Sequence, residues 1–208
     1  MIDVDKQISA VSRRLGNRTH EAGELLEMTV SQAYDTDAAD LWECVTDAER
    51  IQRWFLPVSG DLRVGGKYQL EGNASGTVES CDPPHTFTAT WEFGGGVSWI
   101  EVSVTAEGDG RSRFTLVHLA RVEEELWDLY GPGAVGVGWD GSFMGLGMHL
   151  ATGAANDATE VEAWSGTEEG KRFTKLSSDA WCEASIAHGT DPDKARAAAE
   201  KTREFYTP

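Results

Sequence analysis

The first residue whose type and position could support chemistry is a histidine at the end of an alternating apolar segment. His118 follows Phe114 and Leu116 at intervals of two, and residues two apart share one face of a β-strand. Near neutral pH a histidine can orient a ligand carbonyl or act as a general base. The alternative is a core histidine bonded to backbone or to a neighbouring hydroxyl. Tyr68 is open to the same two interpretations, as a phenol donor or as a core aromatic residue.

The sequence contains no partner that would make this histidine part of a known catalytic motif. Glu101 falls on the opposite face of its strand by alternation. No G-x-S-x-G or H-E-x-x-H motif is present. The run of glycines at 94–96 is not followed by a helix, so it predicts a turn and not a phosphate-binding loop. We therefore predict no catalytic residue and no cofactor.

The thiols and the other imidazoles are too dispersed for a metal site or a disulfide framework. The cysteines lie far apart in sequence, and the remaining histidines occur singly: Cys44, Cys81, Cys182, His20, His85, His149 and His188. We therefore expect no bound metal and free thiols, which is typical of a reducing cytoplasm.

The charge balance excludes whole classes of partner. The chain has 35 acidic and 18 basic residues, for a formal net charge of −17. An anionic protein repels phosphate, and no basic patch compensates, so we expect no binding to nucleic acid or to a membrane. The amino terminus lacks an apolar signal segment, and no apolar run reaches the length of a membrane span. We expect a cytoplasmic protein, with a homodimer left open.

Hydrophobic periodicity predicts an antiparallel sheet framed by helices. Val4, Ile8, Val11 and Leu15 have helical spacing, which predicts an amino-terminal helix up to Gly16. A strand over Leu25–Ala33, two short helices and about five further strands in hairpin order follow, and then one long helix over Val135–Leu150. The last strands are joined by a tight turn at 108–110. Helices are again predicted after Thr167 and after Asp191.

The long helix carries glycines on one face. Gly138, Gly141 and Gly145 lie opposite the apolar stripe of the helix, and each glycine costs about 1 kcal/mol of helix propensity relative to alanine. We expect a neighbouring backbone to lie against this face. The helices of residues 165–207 are the nearest candidates in sequence, so we expect them to pack as part of the fold.

The connector before the long helix combines acidic and apolar residues. Glu123–Glu125 are followed by Leu126, Trp127 and Leu129. This composition fits either a lid over a binding site or a solvated acidic connector anchored by one tryptophan. The sequence leaves both interpretations open.

Several ordered motifs resemble a known family. They are Ala39-Asp40-Leu41-Trp42, Thr46-Asp47-Ala48-Glu49, Trp54-Phe55, Asp61-Leu62-Arg63-Val64-Gly65-Gly66-Lys67-Tyr68, the segment from Gly76 to Pro84, Thr90-Trp91 and Gly138-Trp139-Asp140-Gly141. Together they are similar to the AHSA1-like branch (activator of Hsp90 ATPase homologue) of the START/Bet v 1-like (SRPBCC) superfamily. The likeness covers roughly residues 25–152 and offers no catalytic motif to transfer.

The resemblance implies an α+β helix-grip fold, in which a curved antiparallel sheet wraps around a long carboxy-terminal helix and leaves a cavity. It also divides the chain into an amino-terminal helical extension at 1–24, the helix-grip domain at 25–152 and a helical extension at 153–208 packed on that domain. Members of the superfamily bind lipids, sterols, polyketides or hormones, and some are cyclases or hydrolases. A fold does not fix a function.

The predicted cavity is lined by the inward-facing residues of the strands and of the long helix, with two aromatic residues at its mouth. The lining residues are Tyr68, Leu70, Trp91, Phe93, Ile100, Phe114, Leu116, His118, Trp139 and Phe143, and the mouth residues are Trp54 and Phe55. Apolar walls with a few polar groups are typical of ligand sites. A filled core is the alternative.

Three functions fit this sequence. The first is binding of a small hydrophobic or aromatic molecule in the helix-grip cavity. The second is an enzyme of the cyclase, lyase or hydrolase type that acts on such a ligand through His118 and Tyr68. The third is a protein-interaction module similar to a co-chaperone, which would use the surface of the domain and not its interior.

Overall fold

The computed structural model describes residues 3–207, which form helices and strands in mixed order. The helices are α1 (Val4–Ala10), α2 (Ala38–Thr46), α3 (Ala48–Ile51), α4 (Glu124–Tyr130), α5 (Gly133–Thr152), α6 (Ala158–Ser165), α7 (Glu168–Ala187) and α8 (Pro192–Tyr206). The strands are β1 (Ser12–His20), β2 (Gly23–Tyr34), β3 (Val58–Gly60), β4 (Lys67–Leu70), β5 (Ser75–Asp82), β6 (Thr86–Phe93), β7 (Gly96–Gly108) and β8 (Arg111–Ala120).

The strands form one sheet in the order β1-β2-β8-β7-β6-β5-β4-β3. Every consecutive pair from β3 to β8 is antiparallel, as a chain of hairpins requires. The predicted α+β helix-grip class is confirmed.

The chain divides into two compact units. One comprises Ser31–Ala120 and Gly145–Ala155, and we call it the sheet unit. The other comprises the described residues of Met1–Val30, Arg121–Met144 and Asn156–Pro208, and we call it the helical unit. The units are discontinuous in sequence, since each draws on separated segments of the chain.

In the sheet unit, the short helices begin where aspartates satisfy backbone N–H groups. Asp37 accepts a hydrogen bond from the Asp40 N–H at the start of α2, and Asp47 accepts one from the Arg50 N–H at the start of α3. Such caps occupy donors that the first helical turn leaves unpaired. Arg50 then donates to the Asp40 carboxylate at 2.9 Å. The two helices are thereby fixed to each other.

The predicted amino-terminal helix is wrong beyond its second turn. α1 ends at Ala10, and the chain continues as strand β1 from Ser12 to His20. Val11 and Leu15 are both buried, and their interval of four is also two strand repeats, so the same spacing fits a strand face. The segment before residue 25 is therefore part helix and part strand.

In the helical unit, the glycines of α5 with the closest neighbours are Gly136 and Gly133, which were not among the predicted ones. A Cβ at Gly136 would overlap the indole ring of Trp181, and one at Gly133 would lie 3.0 Å from the Thr202 side chain. A Cβ at Gly138 would have only an ordinary contact at 3.6 Å with the Tyr206 hydroxyl, and one at Gly141 would have no atom within 4 Å. Close approach therefore explains the glycines of the first turns of α5 and not the glycine at 141.

Helix α8 is bonded to the segment around α4 and the start of α5. The Thr202 hydroxyl donates to the Tyr130 carbonyl at 2.8 Å, and the Tyr206 hydroxyl donates to the Ala134 carbonyl at 2.9 Å. A small core of Cys182, Ala195 and Ala199 lies between α7 and α8. The helices after residue 165 are thus ordered elements of the helical unit.

Candidate functional site

The sheet register brings His118 to the same face as Trp91. Trp91 pairs with Ser98 across β6 and β7, and Ile100 pairs with His118 across β7 and β8. Directly paired residues share a face, as do residues two apart on one strand. Trp91, Ser98, Ile100 and His118 therefore share one side of the sheet, and the rings of Trp91 and His118 lie 6.3 Å apart.

His118 belongs to a short polar chain on this apolar face. Its Nε2 lies 2.8 Å from the Ser98 hydroxyl oxygen, and the Ser98 hydroxyl donates to the Trp91 carbonyl at 3.0 Å. A serine has one hydroxyl proton. Because that proton goes to the carbonyl, Ser98 accepts from His118, and the neutral ring carries its proton on Nε2.

Burial holds His118 in the neutral form. The side chain is 6% exposed, and desolvation lowers its pKa from 6.5 to about 4. Since Nε2 donates to Ser98, any further hydrogen bond that the neutral ring makes must be accepted at Nδ1. The expected role as donor to a ligand carbonyl does not fit this tautomer.

Tyr68 is held by the backbone of the same face. Its hydroxyl donates to the Thr90 carbonyl at 2.6 Å, and burial with the nearby Glu92 charge raises its pKa. A Cβ at Gly76 would lie 2.8 Å from the Tyr68 hydroxyl and closer still to the Thr90 carbonyl. Only glycine leaves room for this contact, which makes Tyr68 a fixed donor to backbone and a poor acid.

Trp54 and Phe55 follow α3 and remain partly exposed. The Trp54 indole donates to the Cys44 carbonyl at 2.8 Å. Its ring stacks on Phe55 at 5.5 Å and meets Phe114 edge-on at 6.5 Å. The α2–α3 turn therefore fixes an aromatic pair beside the β8 end of the same face.

The ten predicted lining residues fall into three groups. Six strand residues are buried, and Trp91 is partly exposed on the same face; the six are Tyr68, Leu70, Ile100, Phe114, Leu116 and His118. Trp139 and Phe143 are buried in the α5 segment of the helical unit. Phe93 is the exception, because it is 60% exposed where β6 ends at the hairpin opposite Gly96. Its placement as an inward residue was wrong, since alternation alone does not show where a strand leaves the core.

Sequence reasoning missed Ser98, the hydrogen-bond partner of His118. The available signal was the period-two alternation, because Ser98 lies two residues before Ile100 in the same strand. A serine among the apolar residues of β7 has no spacing or motif that marks it as a functional residue.

A second polar cluster, also missed, is built around a buried carboxylate of the helical unit. Asp140 is fully buried and accepts from the Arg13 Nε at 2.9 and 3.1 Å. Its Oδ2 also accepts from the Ser177 hydroxyl at 2.5 Å and from the Trp181 indole at 3.2 Å. Arg13 Nη1 donates to the carbonyls of Ile8 and Val11. The cluster joins β1, α5 and α7.

Burial disfavours the charged form of the Asp140 carboxylate, and several contacts offset this desolvation. Burial raises the pKa of the Asp140 carboxyl, while the Arg13 charge and the Ser177 and Trp181 hydrogen bonds act in the opposite direction. A guanidinium N–H shared between both carboxylate oxygens is a charge-assisted contact, which favours the ionised carboxylate. Both carboxylate oxygens are already occupied, so the arrangement serves structure better than ligand exchange.

The described residues contain neither a candidate metal cluster nor a candidate membrane-spanning helix. Within residues 3–207, no group of three or more histidine, cysteine, aspartate or glutamate side chains is placed to hold a metal ion. In the same residues, no helix combines the length and the apolar character that crossing a membrane demands.

The fold and its sheet face define an SRPBCC-type helix-grip protein, and the comparisons specify the branch. The sequence pattern of the family described as Activator of Hsp90 ATPase homolog 1-like protein matches residues 35–151. The chain belongs to this AHSA1-like family, which confirms the resemblance seen in the sequence. No curated protein matches the chain significantly.

Among solved structures, CalU16 from Micromonospora echinospora is similar over nearly its whole length. Its solution NMR structure has 33% identity, a TM-score of 0.71 and coverage of 88% of this chain and 97% of that one. Its crystal structure aligns with 30% identity, a TM-score of 0.67 and coverage of 87% and 99%. The aligned share of this chain extends beyond the segment that the family pattern covers.

Two more distant structures share the fold alone. DynU16, a protein of the dynemicin biosynthetic locus, has 18% identity and a TM-score of 0.56, over 62% of this chain and 48% of that one. PFC0360w, an HSP90 activator from Plasmodium falciparum, has 20% identity and a TM-score of 0.52, over 63% and 99%.

Proposed function

We propose that this protein binds a small, uncharged, apolar or aromatic molecule against the sheet face that carries His118. The observation that carries the proposal is the neutral His118–Ser98 pair set among apolar side chains. A polar group on an apolar wall can orient a ligand without requiring that the ligand be charged. The partly exposed rings of Trp54, Phe55 and Trp91 add aromatic surface suited to a flat ligand.

The hydrogen-bond directions favour a ligand that carries a hydroxyl or N–H group. Because Nε2 donates to Ser98, a hydrogen bond between a ligand and the neutral His118 ring would have to be accepted at Nδ1. A carboxylate ligand would have to be buried beside an unprotonated ring, at a high desolvation cost. Phenols and alcohols with an apolar body meet both conditions.

Binding is favoured over catalysis by the same contacts. The Ser98 proton points to a backbone carbonyl and not to His118, so the pair does not activate a nucleophile. Tyr68 spends its proton on the Thr90 carbonyl. Glu101, which could have oriented the histidine, lies on the other face of β7 next to Ile100. These groups support a recognition site more than a proton-transfer site.

The test compares two ligands that differ by one hydroxyl, 1-naphthol and 1-methylnaphthalene, titrated while tryptophan fluorescence is followed. We expect both to bind, with 1-naphthol tighter by about threefold to tenfold, the worth of one hydrogen bond. His118→Leu should abolish the difference, and His85→Leu, which replaces an exposed histidine, should preserve it.

Native mass spectrometry of protein purified from its source provides the second arm of the test. A co-purifying small molecule of apolar character is expected. Absence of any such molecule, together with no saturable binding of either naphthalene, would overturn the proposal. Turnover of a hydroxylated ligand that is lost in His118→Leu would favour an enzyme instead.

A further inference from the structure

The α4 segment of the helical unit exposes apolar side chains in a row. Leu126 is 52% exposed and Leu129 is 43% exposed. Tyr130 follows Leu126 by four residues, so the three side chains share one side of the helix. Phe205 of α8 is 63% exposed and packs against Tyr130 with a ring separation of 5.7 Å. We call Leu126, Leu129, Tyr130 and Phe205 the α4 patch.

The α4 patch is held on a fixed support. The Thr202 hydroxyl donates to the Tyr130 carbonyl at the end of α4. Beside Phe205, Tyr206 is bonded to the Ala134 carbonyl. The end of α4 is thus bonded to α8, while Leu126, Leu129 and Phe205 remain exposed. A preformed apolar row loses little entropy when a partner covers it.

Four carboxylates lie in α4 or at its N-cap, close in sequence to this row. Glu123, Glu124, Glu125 and Asp128 are all exposed. Within residues 3–207 none of these four forms an ion pair. Other carboxylates of the helical unit do form ion pairs, and Asp179 is paired with both Lys175 and Arg203. The segment therefore presents unneutralised negative charge beside apolar surface.

We propose that the α4 patch is a docking surface for a basic amphipathic segment of another protein. Apolar residues of the partner cover the leucines, and lysines or arginines on its rim meet the four carboxylates. Charge complementarity of this kind sets both specificity and association rate. A second copy of this chain is disfavoured, because a symmetric contact would bring eight carboxylates together. Anionic lipid surfaces are repelled for the same reason.

The test uses a synthetic helix of leucine and lysine, about 14 residues long or about four turns, with its leucines on one face. The control is a peptide of identical composition scrambled to remove that face. Binding is measured by calorimetry with the whole protein. We expect the amphipathic peptide to bind about tenfold tighter or more than the scrambled one, because only it can bury the two leucines.

The variants separate apolar docking from general attraction to an acidic protein. Leu126→Ser with Leu129→Ser should remove the preference for the amphipathic peptide. Glu123→Gln, Glu124→Gln and Glu125→Gln together should weaken binding and reduce its dependence on salt. Val161→Ser is the matched control, since Val161 is 41% exposed between two glutamates of α6. It should change nothing.

Each contrary outcome overturns the proposal. Equal binding of the two peptides, or an equal loss in Val161→Ser, would mean attraction by net charge alone. Dimerisation that Leu126→Ser removes would assign the α4 patch to a second copy, and binding to phosphatidylcholine vesicles would assign it to a membrane. Circular dichroism checks folding. If the double leucine variant is unfolded, Leu126→Ser alone and the three-glutamine variant decide the question.

Discussion

The Asp140 cluster and the His118–Ser98 pair each centre on a buried polar side chain, and they differ in charge. In the helical unit, Arg13 and Asp140 form an ion pair in which both carboxylate oxygens are occupied. In the sheet unit, His118 and Ser98 form an uncharged pair in which Nε2 donates to the hydroxyl oxygen. Removing one partner of a buried ion pair leaves an uncompensated charge, whereas removing one partner of a neutral pair leaves only an unpaired polar group, which costs less. This contrast favours structure for the first cluster and recognition for the second.

The largest effect should follow from breaking the charged cluster. Asp140→Asn leaves the Arg13 guanidinium buried without a counter-charge, and we expect it to lower the free energy of unfolding by about 3–5 kcal/mol. Urea unfolding followed by tryptophan fluorescence measures this loss. Asp179→Asn removes a carboxylate that is 40% exposed, and as the control it should cost less than about 1 kcal/mol.

A double variant sharpens that result. Replacing both partners with apolar residues, as in Arg13→Met with Asp140→Leu, should recover part of the lost stability, because no charge is left unpaired. If Asp140→Asn proves as mild as Asp179→Asn, the cluster is not the structural element described here.

The His118–Ser98 pair should make the free energy of unfolding depend on pH. The folded pKa of His118 lies below its unfolded value, at about 4 against 6.5. The contribution of His118 to the free energy of unfolding is therefore constant above about pH 7. The stability falls as the pH drops from about 6.5 towards 4, because only the unfolded state takes up the proton. At about pH 5 the loss should be about 2 kcal/mol.

His118→Gln isolates this effect. Glutamine does not titrate and can still donate to Ser98. The difference in free energy of unfolding between wild type and His118→Gln should therefore shrink by about 2 kcal/mol between about pH 7 and pH 5. A difference that is independent of pH would show that the pKa of His118 is the same in the folded and unfolded protein, as expected of a solvated ring.

The smallest expected effect compares two glycines of one helix. Gly136→Ala forces a methyl group against the fully buried Trp181 ring, and we expect a net loss of about 1 kcal/mol after the gain in helix propensity. Gly141→Ala meets no atom within 4 Å and should gain up to about 1 kcal/mol. Thermal melts of the two variants measure both changes. A stabilised Gly136→Ala variant would contradict the close approach of α7.

What the sequence could predict was local and periodic. Alternation placed His118, Ile100 and Phe114 on one buried face, and ordered motifs identified the family. It could not assign β1, because Val11 and Leu15 satisfy the helical and the extended repeat alike. The domain boundaries at residues 24 and 152 and the predicted ligand-site residues stay predictions.

The role of Asp140 could not be predicted from the sequence, because its partners lie far from it along the chain. Its partners are Arg13, 127 residues earlier, and Ser177 and Trp181, 37 and 41 residues later. No local pattern links such positions, so the motif around Asp140 could indicate the family without indicating the ion pair.

That separation also sets an order of events during synthesis. At about 5–20 residues per second, Arg13 waits about 6–25 s for Asp140 to be made, and longer for α7. In that interval the Arg13 guanidinium stays hydrated, because the carboxylate with which it forms the buried ion pair has not yet been made. Within the sheet unit, Ser31–Ala120 precede α7 in the chain, so their hairpins can pair before the helical unit is complete. The last part of this protein to reach its final state therefore includes β1, which is translated before the sheet unit.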